Sequence, residues 1–166
     1  MTSSKVAILM GSDSDLEIMK EGADVFKDFG ISYDIQVLSA HRSPELVRDF
    51  VTKARGQGYK VIIAGAGGAA HLAGVVAAHT TLPVIGVPIN STPLNGLDSL
   101  LATVQMPAGI PVATVAVGKP GARNAAILAV QILALNDQDL TKKLDDFKKK
   151  LSDSVREKNE KIRAKS

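Results

Sequence analysis

The sequence predicts one α/β domain of three layers, with helices covering both faces of a parallel sheet. Short apolar runs such as Val6–Met10 and Val61–Ala64 alternate with segments of helical periodicity, and glycine, proline or polar residues bound each run. Continuous apolar runs of this length are typical of strands buried on both faces. Strands that alternate with helices form a parallel sheet with right-handed crossovers, and among such sheets five strands suggest the flavodoxin-like order 2-1-3-4-5.

The elements follow one another at short spacing along the chain. The five expected strands are the apolar runs at residues 6–10, 35–38, 61–64, 83–87 and 112–116. The expected helices between and after them lie at about 14–29, 44–54, 69–79, 97–104 and 119–135. Ser14 and Glu17 have the spacing of a capping box, and Ser43 before Pro44 is typical of a helix start.

Residues 138–166 differ from the preceding part of the chain. In a lysine-rich background they carry a narrow apolar stripe, formed by Leu140, Leu144, Phe147, Leu151, Val155 and Ile162. This spacing predicts an amphipathic helix. We therefore expect a catalytic domain at residues 1–137 and a terminal helix at 138–166 that packs on a neighbouring subunit.

Composition argues against several classes of protein. Residues 1–137 hold 10 basic and 11 acidic residues, a net charge of −1, whereas residues 138–166 hold 10 and 6, a net charge of +4. Because the net positive charge is confined to the terminal segment and aromatic residues make up 4%, nucleic-acid binding is not expected. The chain has no Cys and three His, which argues against disulfides and a transition-metal site.

The N-terminal residues lead directly into the first apolar run. They contain no signal-peptide core, and no apolar stretch in the sequence has the length of a membrane span. The sequence therefore predicts a cytoplasmic protein without a membrane partner.

Three loops follow the carboxyl ends of the first three strands, and these loops are rich in glycine and polar residues. They lie at residues 11–15, 39–43 and 65–71. In the expected strand order they meet where the order reverses, which is where open parallel sheets bind ligands. A small-molecule site is therefore expected there.

The first two of these loops carry groups suited to a phosphorylated ligand. Ser12 precedes a helix N-terminus, where free N–H groups favour an anion, and Asp15 is suited to accept hydrogen bonds from ribose hydroxyls. Ser39 and Arg42 are suited to phosphate, and His41 is of the residue type that gives and takes protons near neutral pH. Helix capping or a polar surface before a helix would explain the same residues equally well.

The third loop has neither a Walker ending nor the third glycine of a dinucleotide fingerprint. Its bare backbone at Gly67 and Gly68 instead allows a planar ligand to approach closely. Ala69 and His71 follow and are placed to line the same pocket, whereas His79 lies farther along the helix and is expected to be structural.

Taken together, the motifs resemble the bacterial class of the N5-carboxyaminoimidazole ribonucleotide mutase family of purine biosynthesis. The resemblance covers about residues 6–135 and depends on the segments 11–15, 39–42, 65–72, 98–100, 105–107 and 109–112. One departure is Ala73, where the family often has proline, and it concerns a helix start.

The resemblance implies an enzyme without metal or cofactor that moves a carboxylate from an exocyclic amine to ring carbon C4 of an aminoimidazole ribonucleotide. It implies that His41 is the general acid and base, and that Ser12, Ser39 and Arg42 hold the phosphate and Asp15 the ribose. Gly67, Gly68, Ala69 and His71 would shape the pocket for the base and CO2. It also implies a homo-octamer, and a transient contact with the synthetase that forms the carbamate is a further expectation.

Two alternatives stay open on the sequence. A related carboxylase class uses free CO2 and aminoimidazole ribonucleotide. A flavodoxin-like binding or receiver module is the other, although the few aromatic residues and the placement of the acidic residues fit flavin or phosphoacceptor chemistry poorly.

Overall fold

The computed structural model describes residues 5–165 and places five parallel strands in one sheet. The strands are β1 (Lys5–Met10), β2 (Ser32–Val37), β3 (Tyr59–Gly67), β4 (Val84–Ile89) and β5 (Ala113–Thr114). Their order is β2-β1-β3-β4-β5, which confirms the flavodoxin-like order predicted from the sequence. Residues 1–4 and 166 lie outside the described part, and so does most of the N-terminal segment that argued against a signal peptide.

Within residues 5–165, six α-helices alternate with the strands or follow them, as expected of a doubly wound fold. They are α1 (Leu16–Phe29), α2 (Pro44–Ala54), α3 (Leu72–Ala78), α4 (Leu97–Val104), α5 (Lys119–Ala134) and α6 (Gln138–Arg163). None of the described helices is both long and apolar enough to cross a membrane.

Buried apolar side chains fill the space on both faces of the sheet. On one face the strands pack with α2 and α3 through buried residues such as Val47, Ile62 and Val76. On the other face Met19 of α1 lies against Gly65 of β3. A side chain at Gly65 would overlap with Met19, so the absence of a Cβ there lets α1 lie close to the sheet.

The chain turns into α1 differently from the sequence-based expectation. The predicted Ser14–Glu17 capping box is not formed. Instead Ser12 is extended at φ −148° and ψ 155°, its hydroxyl accepts from the Ser14 N–H, and the Asp15 carboxylate accepts from the Ser12 N–H. A short 3-10 helix, Asp13–Asp15, follows and leads into α1. The turn starts two residues earlier because β1 ends at Met10, immediately before Gly11.

Ala73, the position at which the sequence departs from the family resemblance, lies near the start of α3. The helix begins at Leu72, so Ala73 lies in its first turn, where proline and alanine are both accommodated. The substitution therefore concerns helix stability more than the pocket.

The chain divides after Val130 into two compact units. The second unit holds the end of α5 and the whole of α6, which Asp137 caps by accepting from the N–H groups of Asp139 and Leu140. Along α6, Leu140 is buried, whereas Leu151 and Val155 are 50% and 66% exposed. The helix is therefore amphipathic, with part of its apolar stripe facing solvent in the single chain.

Candidate active site

A pocket of about 420 Å³ opens at the carboxyl edge of the sheet, where the loops after β1, β2, β3 and β4 meet. The sheet order reverses here, since β1 leads to β2 on one side and β3 lies on the other. Hydrogen bonds from Leu38 N to Met10 O, 2.8 Å, and from Gly11 N to Gly65 O, 3.2 Å, continue the pairing beyond the strands and hold the three loops together.

The pocket brings together most of the residues singled out from the sequence. Its lining includes Ser12, Asp15, Ser39, His41, Arg42, Gly67 and Ala69. Gly68 and His71 flank the lining residues of the third loop, and His71 reaches the pocket through its contact with His41. His79 lies elsewhere, beside the far end of α3.

The first loop is a helix cap and a pocket wall at once. The Ser12 hydroxyl accepts from Ser14 N and lies 3.0 Å from the Ser14 hydroxyl, while both side chains face the pocket. Asp15 is 6% exposed, and this burial raises the pKa of its carboxyl above the usual Asp range, although the Ser12 N–H and the Arg42 charge oppose the shift. Asp15 is thus a buried acceptor at the base of the pocket.

The second loop braces the guanidinium of Arg42 in place. Arg42 Nη2 donates to Gly11 O at 2.9 Å, and Arg42 Nε donates to Ser39 Oγ at 3.4 Å. Ser43 Oγ donates to Ser39 O at 3.1 Å and closes the turn before α2. The two bonds from Arg42 use its Nε–H group and one N–H group of Nη2. The remaining N–H groups of the guanidinium are left for an anion in the pocket.

Two histidines from separate loops form a pair at the pocket. His41 Nε2 lies 2.8 Å from His71 Nδ1, and the two rings are T-shaped with centroids 4.9 Å apart. A hydrogen bond between two ring nitrogens needs one donor and one acceptor, so the pair holds one proton between these atoms. The arrangement fixes the orientation of the His41 ring and leaves its Nδ1 as the second proton-carrying position.

The third loop requires glycine at two positions for different reasons. A Cβ at Gly67 would overlap with Ser91 Oγ and lie 2.9 Å from Ser91 Cβ and 3.1 Å from Ile89 O. Gly68 has φ +58°, a left-handed conformation that favours glycine. The bare backbone thus lets the end of β4 and the pocket contents approach β3 closely.

Ser91 is a pocket residue that the sequence argument missed. It follows β4 and lines the pocket beside Gly67. Among the described residues its hydroxyl has no hydrogen-bond partner. The signal that was available is topological, since β4 neighbours β3 and its carboxyl end must reach the same edge of the sheet.

The described residues contain no group of three or more His, Cys, Asp or Glu placed to hold a metal ion. What they do bring together is a hydroxyl- and guanidinium-lined end, a histidine pair, and a wall of small and apolar residues that includes Ala66, Ala69 and Leu72. Such a pocket is suited to bind a phosphorylated small molecule and to move a proton on it.

The chain is similar to known proteins over most of its length. The family model described as AIR carboxylase matches residues 5–154. The N5-carboxyaminoimidazole ribonucleotide mutase of Bacillus subtilis is 57% identical over 141 residues, which cover 85% of this chain and 87% of that protein. The enzyme of the same name from Escherichia coli is 52% identical over 144 residues, covering 87% and 85%.

A solved structure shares the whole architecture. The crystal structure of Treponema denticola PurE superimposes with a TM-score of 0.87 at 30% sequence identity, covering 95% of this chain and 98% of that one. The family model spans nearly the full chain, and the curated relatives are more than half identical to it, so the chain belongs to the AIR carboxylase family.

Proposed function

We propose that this protein converts N5-carboxyaminoimidazole ribonucleotide to 4-carboxy-5-aminoimidazole ribonucleotide in purine biosynthesis. The observation that carries the proposal is the His41–His71 pair, 2.8 Å apart, beside a pocket with an anion-binding end and a small-residue end. The names of the relatives that are 52–58% identical to this chain support the same reaction.

The substrate is a nucleotide, and its phosphate binds at the end of the pocket formed by the first two loops. Ser12 and Ser39 supply hydroxyl donors there, and Arg42 supplies a guanidinium braced by Gly11 O. Asp15 lines the same pocket as Ser12, and its carboxylate, which already accepts from the Ser12 N–H, also accepts from the ribose hydroxyls. These groups contact parts of the substrate that do not react, so they contribute binding and orientation.

The reaction needs one group that first donates a proton and then accepts one. His41 in its imidazolium form protonates the exocyclic nitrogen, the N–C bond of the carbamate breaks, and CO2 and aminoimidazole ribonucleotide remain in the pocket. C4 then attacks CO2 to form the new C–C bond, and the C4 proton passes to the now neutral His41. The imidazolium is restored, so the cycle balances without another acid or base.

The CO2 formed midway must stay next to C4. CO2 makes weak hydrogen bonds, so it is held by enclosure and not by polar contacts. The wall of Ala66, Gly67, Ala69 and Leu72 offers a surface of small and apolar groups that fits closely around the base. Gly68 and His71 flank the lining residues of this end in the chain, and His71 contacts the pocket through its hydrogen bond to His41.

The carboxylase that takes free CO2 is the nearer alternative, and the description of the family model includes that activity. The two are separated by supplying purified N5-carboxyaminoimidazole ribonucleotide in bicarbonate-free buffer and following the ultraviolet absorbance of the product. We expect turnover at a rate unchanged by added bicarbonate. Turnover of aminoimidazole ribonucleotide plus bicarbonate, with no turnover of the carbamate, would show that the protein is the carboxylase. No turnover of either substrate would show that it is a binding module.

We further propose that the active protein is a homo-oligomer, an octamer by resemblance to the family. Leu97, Leu101 and Val104 lie on one face of α4 and are 56%, 48% and 49% exposed, a surface suited to a second copy of this chain. Leu101→Lys should lower the mass measured by light scattering, whereas the matched control Leu46→Lys, on a 60% exposed residue of α2, should not. An unchanged mass for Leu101→Lys would contradict this interface.

We propose that the chain consists of a catalytic domain at 1–137 and a terminal helix at 138–166, and that this helix packs on a neighbouring subunit of the oligomer. Leu151 and Val155 are one helical turn apart and largely exposed in the single chain. Replacing both with Glu should weaken the oligomer without changing helix content measured by circular dichroism.

Two finer proposals concern the setting of the enzyme. We propose that the protein is cytoplasmic. Because the carbamate is chemically unstable, we also propose a transient contact with the synthetase that forms it. Coupled assays in which an excess of Arg42→Ala, which binds the nucleotide weakly, competes with the active protein should slow product formation if the contact exists.

A further inference from the structure

We propose that Ser91 is a substrate-contacting residue that donates to the carboxylate of the nucleotide, and that Asp98 positions it through Thr92. The inference rests on the proposed function, because it assigns a partner to the carboxylate of that same substrate. It begins from the unused hydroxyl of Ser91 in the pocket wall.

The sheet places Ser91 at the end of the pocket away from the phosphate-binding groups. Ser39 and Arg42 follow β2 and Ser91 follows β4, with β1 and β3 between them. Three strand spacings of about 4.8 Å separate β2 from β4, which is roughly 14 Å. A nucleotide anchored by its phosphate near β2 and β1 therefore extends its base toward β3 and Ser91.

Ser91 lies in contact with the backbone that faces the base. Its Oγ and Cβ occupy the space that a side chain at Gly67 would take. Gly67 pairs with Ile89 in the sheet, so Ser91 is two residues beyond the last pair of β3 and β4. Ser91 N also donates to Ile89 O at 3.1 Å, a tight turn that directs the side chain back over Gly67.

The loop that carries Ser91 is held at its next residue by a carboxylate. Thr92 Oγ1 donates to Asp98 Oδ2 at 2.6 Å, and Asn95 N donates to Thr92 O at 3.0 Å. The hydrogen bond from Thr92 keeps the pKa of Asp98 below its usual range, and Asp98 lies in the first turn of α4, where the helix dipole also favours a negative charge. Asp98 is thus an ionised anchor at neutral pH.

The helix that carries Asp98 is itself fixed to the end of β4. Ser99 is fully buried, and its hydroxyl lies 2.9 Å from Ile89 O and 3.0 Å from Gly96 O, donating its proton between them. The loop has left-handed residues at Asn95, φ +52°, and Gly96, φ +89°. The segment that carries Ser91 is thus tied to α4 on both sides, at Ile89 by Ser99 and at Thr92 by Asp98. We therefore expect the position of Ser91 to depend on the Thr92–Asp98 bond.

The test compares two ligands that differ by the carboxylate. Calorimetric titration with 4-carboxy-5-aminoimidazole ribonucleotide should show about 10-fold weaker binding to Ser91→Ala than to wild type, the effect of one hydrogen bond to a charged group. Binding of aminoimidazole ribonucleotide, which lacks the carboxylate, should stay within about 2-fold. Equal weakening for both ligands, or for neither, would overturn the role of Ser91.

The positioning role has its own pair of variants. Thr92→Val removes the hydroxyl that Asp98 holds and should reproduce the selective loss, whereas Thr92→Ser keeps the hydroxyl and should restore binding of the carboxylated ligand. The double variant of Ser91→Ala and Thr92→Val should bind no more weakly than Ser91→Ala alone, because both changes remove one contact. Additive losses would show that Thr92 does not act through Ser91.

These titrations need no turnover, so they separate the inference from the proposed reaction. If wild type binds both nucleotides but does not convert the carbamate, the proposed function fails while the Ser91 contact remains measurable. If wild type converts the carbamate and Ser91→Ala binds the two ligands as wild type does, the contact fails alone.

Discussion

His41 Nε2 and His71 Nδ1 lie 2.8 Å apart, although 29 residues separate them in the chain. His41 comes from the loop after β2 and His71 from the segment before α3, so the strand order brings the two loops across the end of β1. The bond orients the ring that is proposed to move the proton.

Replacing His41 with Asn should remove turnover while leaving the pocket intact. Loss of a positioned general acid and base costs about 10²–10⁴-fold in rate. Nucleotide affinity, measured by calorimetry, should stay within about 3-fold because Arg42 and the serines are untouched. His79→Asn, at the far end of α3, is the matched control and should keep wild-type turnover. Near-normal turnover of the His41 variant would contradict the mechanism.

Replacing His71 with Asn should have a smaller effect than the His41 change. His71 holds the His41 ring, so kcat should fall by about 10-fold, the effect of losing an orienting hydrogen bond, with KM nearly unchanged. A merely structural role for His71 would instead lower the amount of folded protein and leave the kcat of the folded fraction unchanged.

Arg42→Ala should weaken binding more than chemistry. A hydrogen-bonded charge on phosphate contributes about 1.5–3 kcal/mol, so KM should rise by about 10–100-fold with little change in kcat. Arg42→Lys should recover part of the loss, since it restores the charge without the fork. Arg55→Ala, beside Thr81 and far from the pocket, serves as the control for removing a surface charge. Equal KM values for Arg42→Ala and wild type would exclude a phosphate contact.

Gly67→Ala should damage the pocket more than the fold. Its Cβ would meet Ser91 Oγ, Ser91 Cβ and Ile89 O, so the end of β4 must move. Overpacking of this kind costs about 1–3 kcal/mol of unfolding free energy. Activity should fall by a larger factor, because Ser91 and the base would be displaced. In the control Gly56→Ala, the new Cβ would lie at an ordinary contact distance of 3.5 Å from Lys53 O. Stability in thermal unfolding and activity in kinetic assays should both stay unchanged.

Asp15→Asn should change how stability depends on pH. Burial raises the pKa of Asp15 in the folded state, so folding favours the protonated form and the carboxylate opposes folding. The free energy of unfolding should therefore fall as pH rises from the usual Asp range through the raised pKa. The variant lacks this penalty, so it should unfold at a higher temperature than wild type near pH 7 and at a similar one near pH 4. The opposite order at pH 7 would show that the hydrogen bond from Ser12 outweighs burial.

A cluster of charged and polar groups at the amino end of the sheet should make stability depend on pH in the opposite sense. Asp34 of β2 accepts from Lys5 and Tyr59, and these bonds lower the pKa of its carboxyl. Their contribution to stability is present above the usual Asp range and is lost as pH falls through the lowered pKa. Asp34→Asn should therefore destabilise the protein near pH 7 by less than about 1 kcal/mol, since the groups are partly exposed.

Much of the fold was predictable because it follows from local patterns. Helix α4 was expected at residues 97–104 and begins and ends there, and the parallel sheet followed from the alternation of apolar runs with helical segments. The start of α1 was less predictable. Ser12 and Ser14 are both good caps, and the choice between them depended on where β1 ended, which its pairing with β2 and β3 determines.

The sequence by itself determined the class of fold, the loops at the switch point and the types of group they carry. Periodicity and turn chemistry are local, so these features are readable from neighbouring residues. Only the tertiary structure decided that His41 meets His71, that Arg42 is braced by Gly11 O, and that Ser91 completes the pocket. These contacts join segments from different strands, and their distances depend on how the strands pair and how closely the helices pack.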